Sequence, residues 1–90
     1  MTYEIRLSRP ARRALANELP EAVATACLEF IYGALAENPH RVGRPLTPPA
    51  TPFYSARRGQ FRVIYDILED LIVVEVIEVQ HRRDVYRNLS

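Results

Sequence analysis

Along the first residues apolar and polar side chains alternate. Tyr3, Ile5 and Leu7 are interleaved with Glu4 and Arg6, the period of two that marks a half-buried strand. Ser8 follows as a helix N-cap, and Pro10 suits the first helical turn, where its missing N–H would have no partner anyway. The pattern predicts a first helix over residues 9–19, ended by Pro20, and a second over residues 20–37. In the second, Val23, Ala26, Cys27, Phe30, Ile31, Ala34 and Leu35 recur at helical spacing. So short a link makes the two helices an antiparallel hairpin. Cys27 lies within the apolar stripe and reads as a small core residue rather than a nucleophile.

Asn38-Pro39 stops the second helix, and residues 38–52 hold five prolines, at 39, 45, 48, 49 and 52. This stretch is predicted to be an extended surface connection, with His40 capping the helix end. Period two then returns. Residues 53–57 form a strand, Arg58-Gly59 the turn, with Gly59 supplying a positive φ, and residues 60–67 the return strand. Glu69-Asp70 makes the next turn, and residues 71–79 are a β-branched run suited to a central strand. The order β-α-α-β-β-β defines an α+β domain whose helical hairpin packs on one face of an antiparallel-rich four-stranded sheet. Asp84 is placed to start a short terminal helix ending at Leu89.

Directly opposed residues share a face. One face of the predicted hairpin collects Tyr54, Ala56, Phe61, Val63 and Tyr65, a core. The other collects Ser55, Arg57, Gln60 and Arg62. Continued into the last strand, the alternation places Ile72, Val74 and Val76 on the core side. Leu71, Val73, Glu75, Ile77, Val79 and His81 then fall on the arginine side.

Composition narrows the class. Ninety residues, 48% hydrophobic and 26% charged, make one globular domain over 1–90, too small for a fold of several βαβ units. A single cysteine leaves no disulfide framework and no cysteine-based zinc site. The N-terminus lacks the apolar core of a signal peptide, and no apolar run approaches the roughly 20 residues of a membrane helix, so a cytoplasmic location is expected. The net charge of +1 hides a strong pattern: residues 40–62 carry five arginines and no acid, and residues 63–80 carry five acids and no base. All twelve basic residues are arginine. Arginine pairs bidentately with phosphate and stacks on bases, histidine exchanges protons near neutral pH, and tyrosine stacks or relays a proton. Arg57, Arg62, His81, Arg82, Arg83 and Tyr86 thus form a set able to handle RNA phosphodiesters. The same ending, His81-Arg82-Arg83-Asp84, also fits a helix cap paired with Glu75 or Glu78.

Three segments resemble one known family. Arg41-Val42-Gly43-Arg44-Pro45-Leu46, then Phe53-Tyr54-Ser55-Ala56-Arg57-Arg58-Gly59-Gln60-Phe61-Arg62-Val63-Ile64-Tyr65, then His81-Arg82-Arg83-Asp84-Val85-Tyr86-Arg87 resemble the RelE/ParE toxin superfamily. Within it, the RelE branch of type II toxin–antitoxin systems is the nearest in pattern. The resemblance implies a ribosome-dependent endoribonuclease, an mRNA interferase that inhibits translation by cleaving mRNA in the A site. It implies a RelB-like cognate antitoxin encoded by an adjacent gene, with operator DNA met only through the antitoxin complex. It implies no metal, no organic cofactor and no membrane.

Carried over by position, Arg62 matches the catalytic strand arginine, Arg82 a basic residue of the C-terminal segment, and Tyr86 the tyrosine that contacts the substrate base. Arg57 and Ser55 fall where family members place two lysines, so one is replaced by arginine and the other lost. Arginine does not give up its proton. His81 or Tyr86 then serves as acid or base, while Arg41, Arg44, Arg58 and Arg83 are expected to bind RNA backbone. Two alternatives share the scaffold: a ParE-like inhibitor of DNA gyrase, and a catalytically silent corepressor that binds antitoxin.

Overall fold

The computed structural model describes residues 2–81. Arg82, Arg83 and Tyr86, and the terminal helix expected from Asp84, lie outside the described residues. Strand β1 (Glu4–Leu7) leads into α1 (Arg9–Arg13), which widens into a π turn over Ala14–Glu18. Helix α2 (Glu21–Phe30) likewise ends in a π turn over Ile31–Leu35. A short helix α3 (Pro39–Val42) and β2 (Arg44–Pro45) follow, then β3 (Tyr54–Arg58), β4 (Phe61–Leu68) and β5 (Val73–His81). The sheet order is β1-β5-β4-β3-β2, with β1 parallel to β5 and every other pair antiparallel. No described helix is long and apolar enough to cross a membrane.

Local chemistry explains the start of the helical layer. The Ser8 hydroxyl accepts from the Ala11 amide at 3.1 Å, as expected of an N-cap, and Pro10 sits in the first turn. The same hydroxyl donates to the Ile77 carbonyl at 2.5 Å, and the Ser8 amide donates to Val76 at 2.9 Å. One residue therefore caps α1 and ties it to β5. The helices then bury Ala11, Ala14, Cys27, Ile31 and Leu35 against Ala56, Val63, Tyr65, Val74 and Val76. Small alanines at the contact let α1 approach the sheet closely. Cys27 is buried in this core, as its place in the apolar stripe implied, and burial pushes its thiol up to about 12.

Several expectations need correction. The sheet has five strands, not four, because Arg44 and Pro45 pair with Ser55 and Tyr54. A proline without an N–H is tolerated there because β2 is an edge strand. The proline-rich segment is thus neither wholly extended nor loose, since it holds α3 as well. His40 lies within α3 and pairs with the Glu69 carboxylate rather than capping α2. The hairpin turn is Gly59-Gln60, with Gly59 at φ 53°, so Arg57 opposes Arg62 and Arg58 opposes Phe61. That is a shift of two positions, which preserves each residue's face. Glu69–Leu71 form a 3-10 turn, so β5 starts at Val73 rather than at Leu71.

The largest correction comes from a β-bulge. Tyr65 pairs with Val76 while Ile64 pairs with Glu78, leaving Ile77 as the extra residue on β5. Beyond it the alternation inverts. Val79 opposes Val63 and His81 opposes Phe61, so both belong to the helix-covered side rather than the arginine side. Glu78 and Gln80 take their place on the open face.

Because Ser8 caps α1 and holds the bulge, Ser8→Ala is expected to cost about 2 kcal/mol and to lower Tm by on the order of 10 °C. Ser8→Asp should restore only the capping share, since a carboxylate has no proton for the Ile77 carbonyl. Thermal melts followed by circular dichroism measure both.

Candidate nucleic-acid interface

The face of the sheet away from the helices is assembled row by row from the register. One row runs Arg57, Arg62, Gln80, and the next runs Arg44, Ser55, Ile64, Glu78. Further along, Arg6, Glu75 and Asp66 share a row. The open face is therefore divided. Three arginines gather at the β2–β3–β4 corner, and the acids Asp66 and Glu75 sit toward β1. Arg44 and Arg57 are exposed, while Ser55 and Arg62 are half-buried.

None of the ion pairs among the described residues involves Arg44, Arg57 or Arg62; those pairs are Arg6 with Glu4 at 3.2 Å and His40 with Glu69. Directly opposed like charges at Arg57 and Arg62 repel across the strands. Their placement is unfavourable for the fold alone and favourable for an anion laid across both. Arginine presents a planar donor fork matched to phosphate oxygens. Ser55, one residue pair further along, adds a hydroxyl able to donate or accept.

Two residues expected at this surface stand elsewhere. His81 is only 8% exposed and shares the helix-covered face with Phe61. Arg58 also faces the helices: its guanidinium lies 4.8 Å from the centre of the Phe30 ring and donates to the carbonyls of Arg57 at 2.7 Å and Val42 at 3.2 Å. It lines an apolar groove of about 430 Å³ with Val23, Ala26, Phe30 and Phe61. Arg58 is a strut between layers, although its side chain remains exposed at the rim. Arg41 is exposed on α3.

The sequence reading missed Glu78 and Gln80, which the bulge turns toward Arg62. A signal for them exists. Val74 and Val76 are apolar at even positions, and Val79 resumes at an odd one after the adjacent apolar pair Val76-Ile77. A phase jump of that kind marks an inserted residue.

Beside this corner, one segment is held unusually firmly. Tyr65 is fully buried, stacks on Tyr54 at 5.6 Å between ring centres, and donates its hydroxyl to the Pro39 carbonyl at 2.6 Å. Burial, with Tyr54 beside it, pushes the phenol up to about 12, so it stays a donor at any physiological pH. Glu69 receives His40 on one oxygen and the Tyr3 hydroxyl at 3.1 Å on the other.

Comparison with known proteins gives a consistent answer. Residues 5–86 match the family described as the ParE toxin of the type II toxin–antitoxin system parDE. The chain is similar to Toxin RelE of Mycobacterium tuberculosis, 42% identical over 85 residues that cover 94% of this chain and 87% of that protein. It is similar to Toxin RelG of the same organism, 40% identical over 87 residues that cover 97% of this chain and 99% of the relative. A crystal structure of the M. tuberculosis toxin–antitoxin complex RelBE2 contains a chain with TM-score 0.88 and 38% identity, covering 91% of this chain and all (100%) of that one.

Relief of the Arg57–Arg62 repulsion is measurable. Arg57→Gln is expected to stabilise the fold by about 0.5 kcal/mol at low salt, and the gain should shrink as salt screens the pair. Urea titrations at two ionic strengths check the sign and the trend.

Proposed function

This chain belongs to the RelE/ParE family of toxins from type II toxin–antitoxin systems, and from that premise we propose that it is a ribosome-dependent endoribonuclease that cuts mRNA in the A site. The observation that carries the reading is the open-face corner of Arg44, Ser55, Arg57 and Arg62, none of whose arginines is ion-paired among the described residues. Gyrase inhibition by binding needs no such convergence on a phosphodiester, so this corner favours the RNase reading over the ParE-like one.

In the proposed reaction an RNA 2′-oxygen attacks its adjacent phosphorus, forming a 2′,3′-cyclic phosphate as the bond to the 5′-oxygen breaks. The 2′-proton goes to a base, and the departing 5′-oxygen gains a proton to leave as a hydroxyl. Negative charge builds on the non-bridging oxygens. Arg62, half-buried beside Arg57, is assigned to that charge; its fixed fork costs little reorganisation as the charge grows. Ser55 and Arg44 extend the contact along the strand of RNA, and Arg41 adds backbone affinity. Orientation of the 2′-oxygen in line with the leaving group supplies much of the rest.

Proton transfer is assigned to Tyr86, with Arg82 and Arg83 as further cationic partners from the C-terminal segment. Tyr86 is preferred to His81 here because His81 shares the helix-covered face with Phe61. The cognate partner is a RelB-like antitoxin, a reading supported by the toxin–antitoxin complex of the M. tuberculosis relative. Covering the arginine corner, or drawing residues from it, would suffice for neutralisation.

Arg62→Ala is expected to lower ribosome-dependent cleavage by about 10²–10³-fold while the protein stays folded. Primer extension on mRNA after brief induction, with circular dichroism as the folding control, reads both. A folded Arg62→Ala chain that cuts at the wild-type rate overturns the assignment. DNA-damage signalling without mRNA cleavage by the wild type would establish the gyrase reading instead.

A further inference from the structure

The segment from Pro39 to Pro45 reaches the open face at one point only, Arg44, and its course up to that point is set by bonds from below the sheet. Tyr65, on the helix-covered side of β4, donates to the Pro39 carbonyl at 2.6 Å. Arg58, from the same side of β3, donates to the Val42 carbonyl at 3.2 Å. His40 is paired to Glu69 at the far end of α3. Just beyond the last of these ties lies Gly43, where an added Cβ would strike the Tyr65 hydroxyl and lie 2.9 Å from the Ser55 carbonyl. The backbone there is ordinary extended chain, φ −133° and ψ −176°. The glycine is demanded by close approach, not by conformation.

The consequence lies one residue on. Arg44 pairs with Ser55, and Ser55 precedes Arg57 on the same face of β3. The hydroxyl of Tyr65, touching the strap just before β2, thus controls how closely Arg44 sits to the Arg57–Arg62 row. We propose that Tyr65 is a positioning residue for RNA binding, with Arg58 as its partner: from the buried side of the sheet they hold the strap that places Arg44 on the open face. This rests on the reading of that face as an RNA surface, and it gives Arg58 an indirect role in place of direct RNA contact. A buried hydroxyl that served packing alone would have no reason to act through Arg44.

The test is binding to ribosomes programmed with a labelled mRNA, together with A-site cleavage kinetics, for Tyr65→Phe, Arg44→Ala and the double variant. Tyr65→Phe is expected to weaken RNA binding and raise KM by about fivefold, the equivalent of one lost hydrogen bond, with kcat unchanged. Arg44→Ala should do at least as much and should lower the salt slope of binding by about 0.7. The double variant should be no weaker than Arg44→Ala alone, since the tyrosine acts through the arginine. Arg58→Met keeps the stacking on Phe30 but loses the bond to Val42, and should reproduce the Tyr65→Phe effect without touching the core.

Wild-type affinity and KM in both Tyr65→Phe and Arg58→Met overturn the proposal. So does a double variant whose losses multiply, because the tyrosine would then act independently of Arg44. A wild type that binds RNA, loses cleavage with Arg62→Ala and ignores Tyr65→Phe rejects the positioning role alone. A wild type that neither binds programmed ribosomes nor cuts their mRNA rejects the functional reading along with it.

Discussion

The Ser8 hydroxyl joins the two layers at the place where the sheet changes phase. It accepts from Ala11 to start α1 and donates to the carbonyl of Ile77, the extra residue in β5. A bulge leaves backbone groups without a partner in the ladder, and an unpaired buried carbonyl is costly. Supplying that partner from the helix cap makes the bulge part of the fold. Every face assignment beyond it then follows: Val79 goes to the core, His81 goes beneath the sheet, and Glu78 and Gln80 turn outward.

The bulge also shapes the electrostatics. Without it the end of β5 would present Val79 and His81 beside Arg62, an apolar and weakly charged border. With it, Gln80 stands beside Arg62 and Glu78 stands one pair further along. The arginine corner is therefore bordered on the β5 side by Gln80 and by one acid, Glu78, while Asp66 and Glu75 lie further along the strands. Of the remaining acids in the sequence's negative segment, Glu69 leaves the open face altogether and anchors α3 through His40. The charge blocks in the sequence thus separate in space, some into an arginine corner, others into struts and ties.

The alternation of apolar residues was a good guide wherever one face of an element is buried. Strand β1, the Ser8 cap, the helical hairpin and the core face of β3 and β4 were all legible for that reason. The hairpin register was misread by two positions, yet the faces held because side chains repeat every two residues. Strand β5 resisted: apolar residues on both parities at Val73 and Val74 blur the phase jump at Val76-Ile77, and the partner of the bulged residue, Ser8, is far away in sequence. The strap was hidden for a related reason. Its prolines argue locally against a strand, whereas β2 exists because tertiary ties to Tyr65 and Arg58 bring it to the sheet edge. The arginine corner was legible at Arg57, Arg62 and Ser55, but Arg58, adjacent to Arg57, necessarily points the other way.

That adjacency gives meaning to a composition with arginine and no lysine. Arg57 and Arg58 are chemically identical neighbours on opposite faces of one strand, and each uses a different property of the guanidinium. On the open face the charge cannot be lost, and the fork matches phosphate. Beneath the sheet the flat group lies over Phe30 while its separate nitrogens reach the carbonyls of Arg57 and Val42. A lysine ammonium can approach an aromatic ring, but it lacks the planar spread to span two carbonyls at the same time. An Arg58→Lys change would accordingly loosen the strap even though charge is conserved. The requirement for arginine at this position comes from the strap.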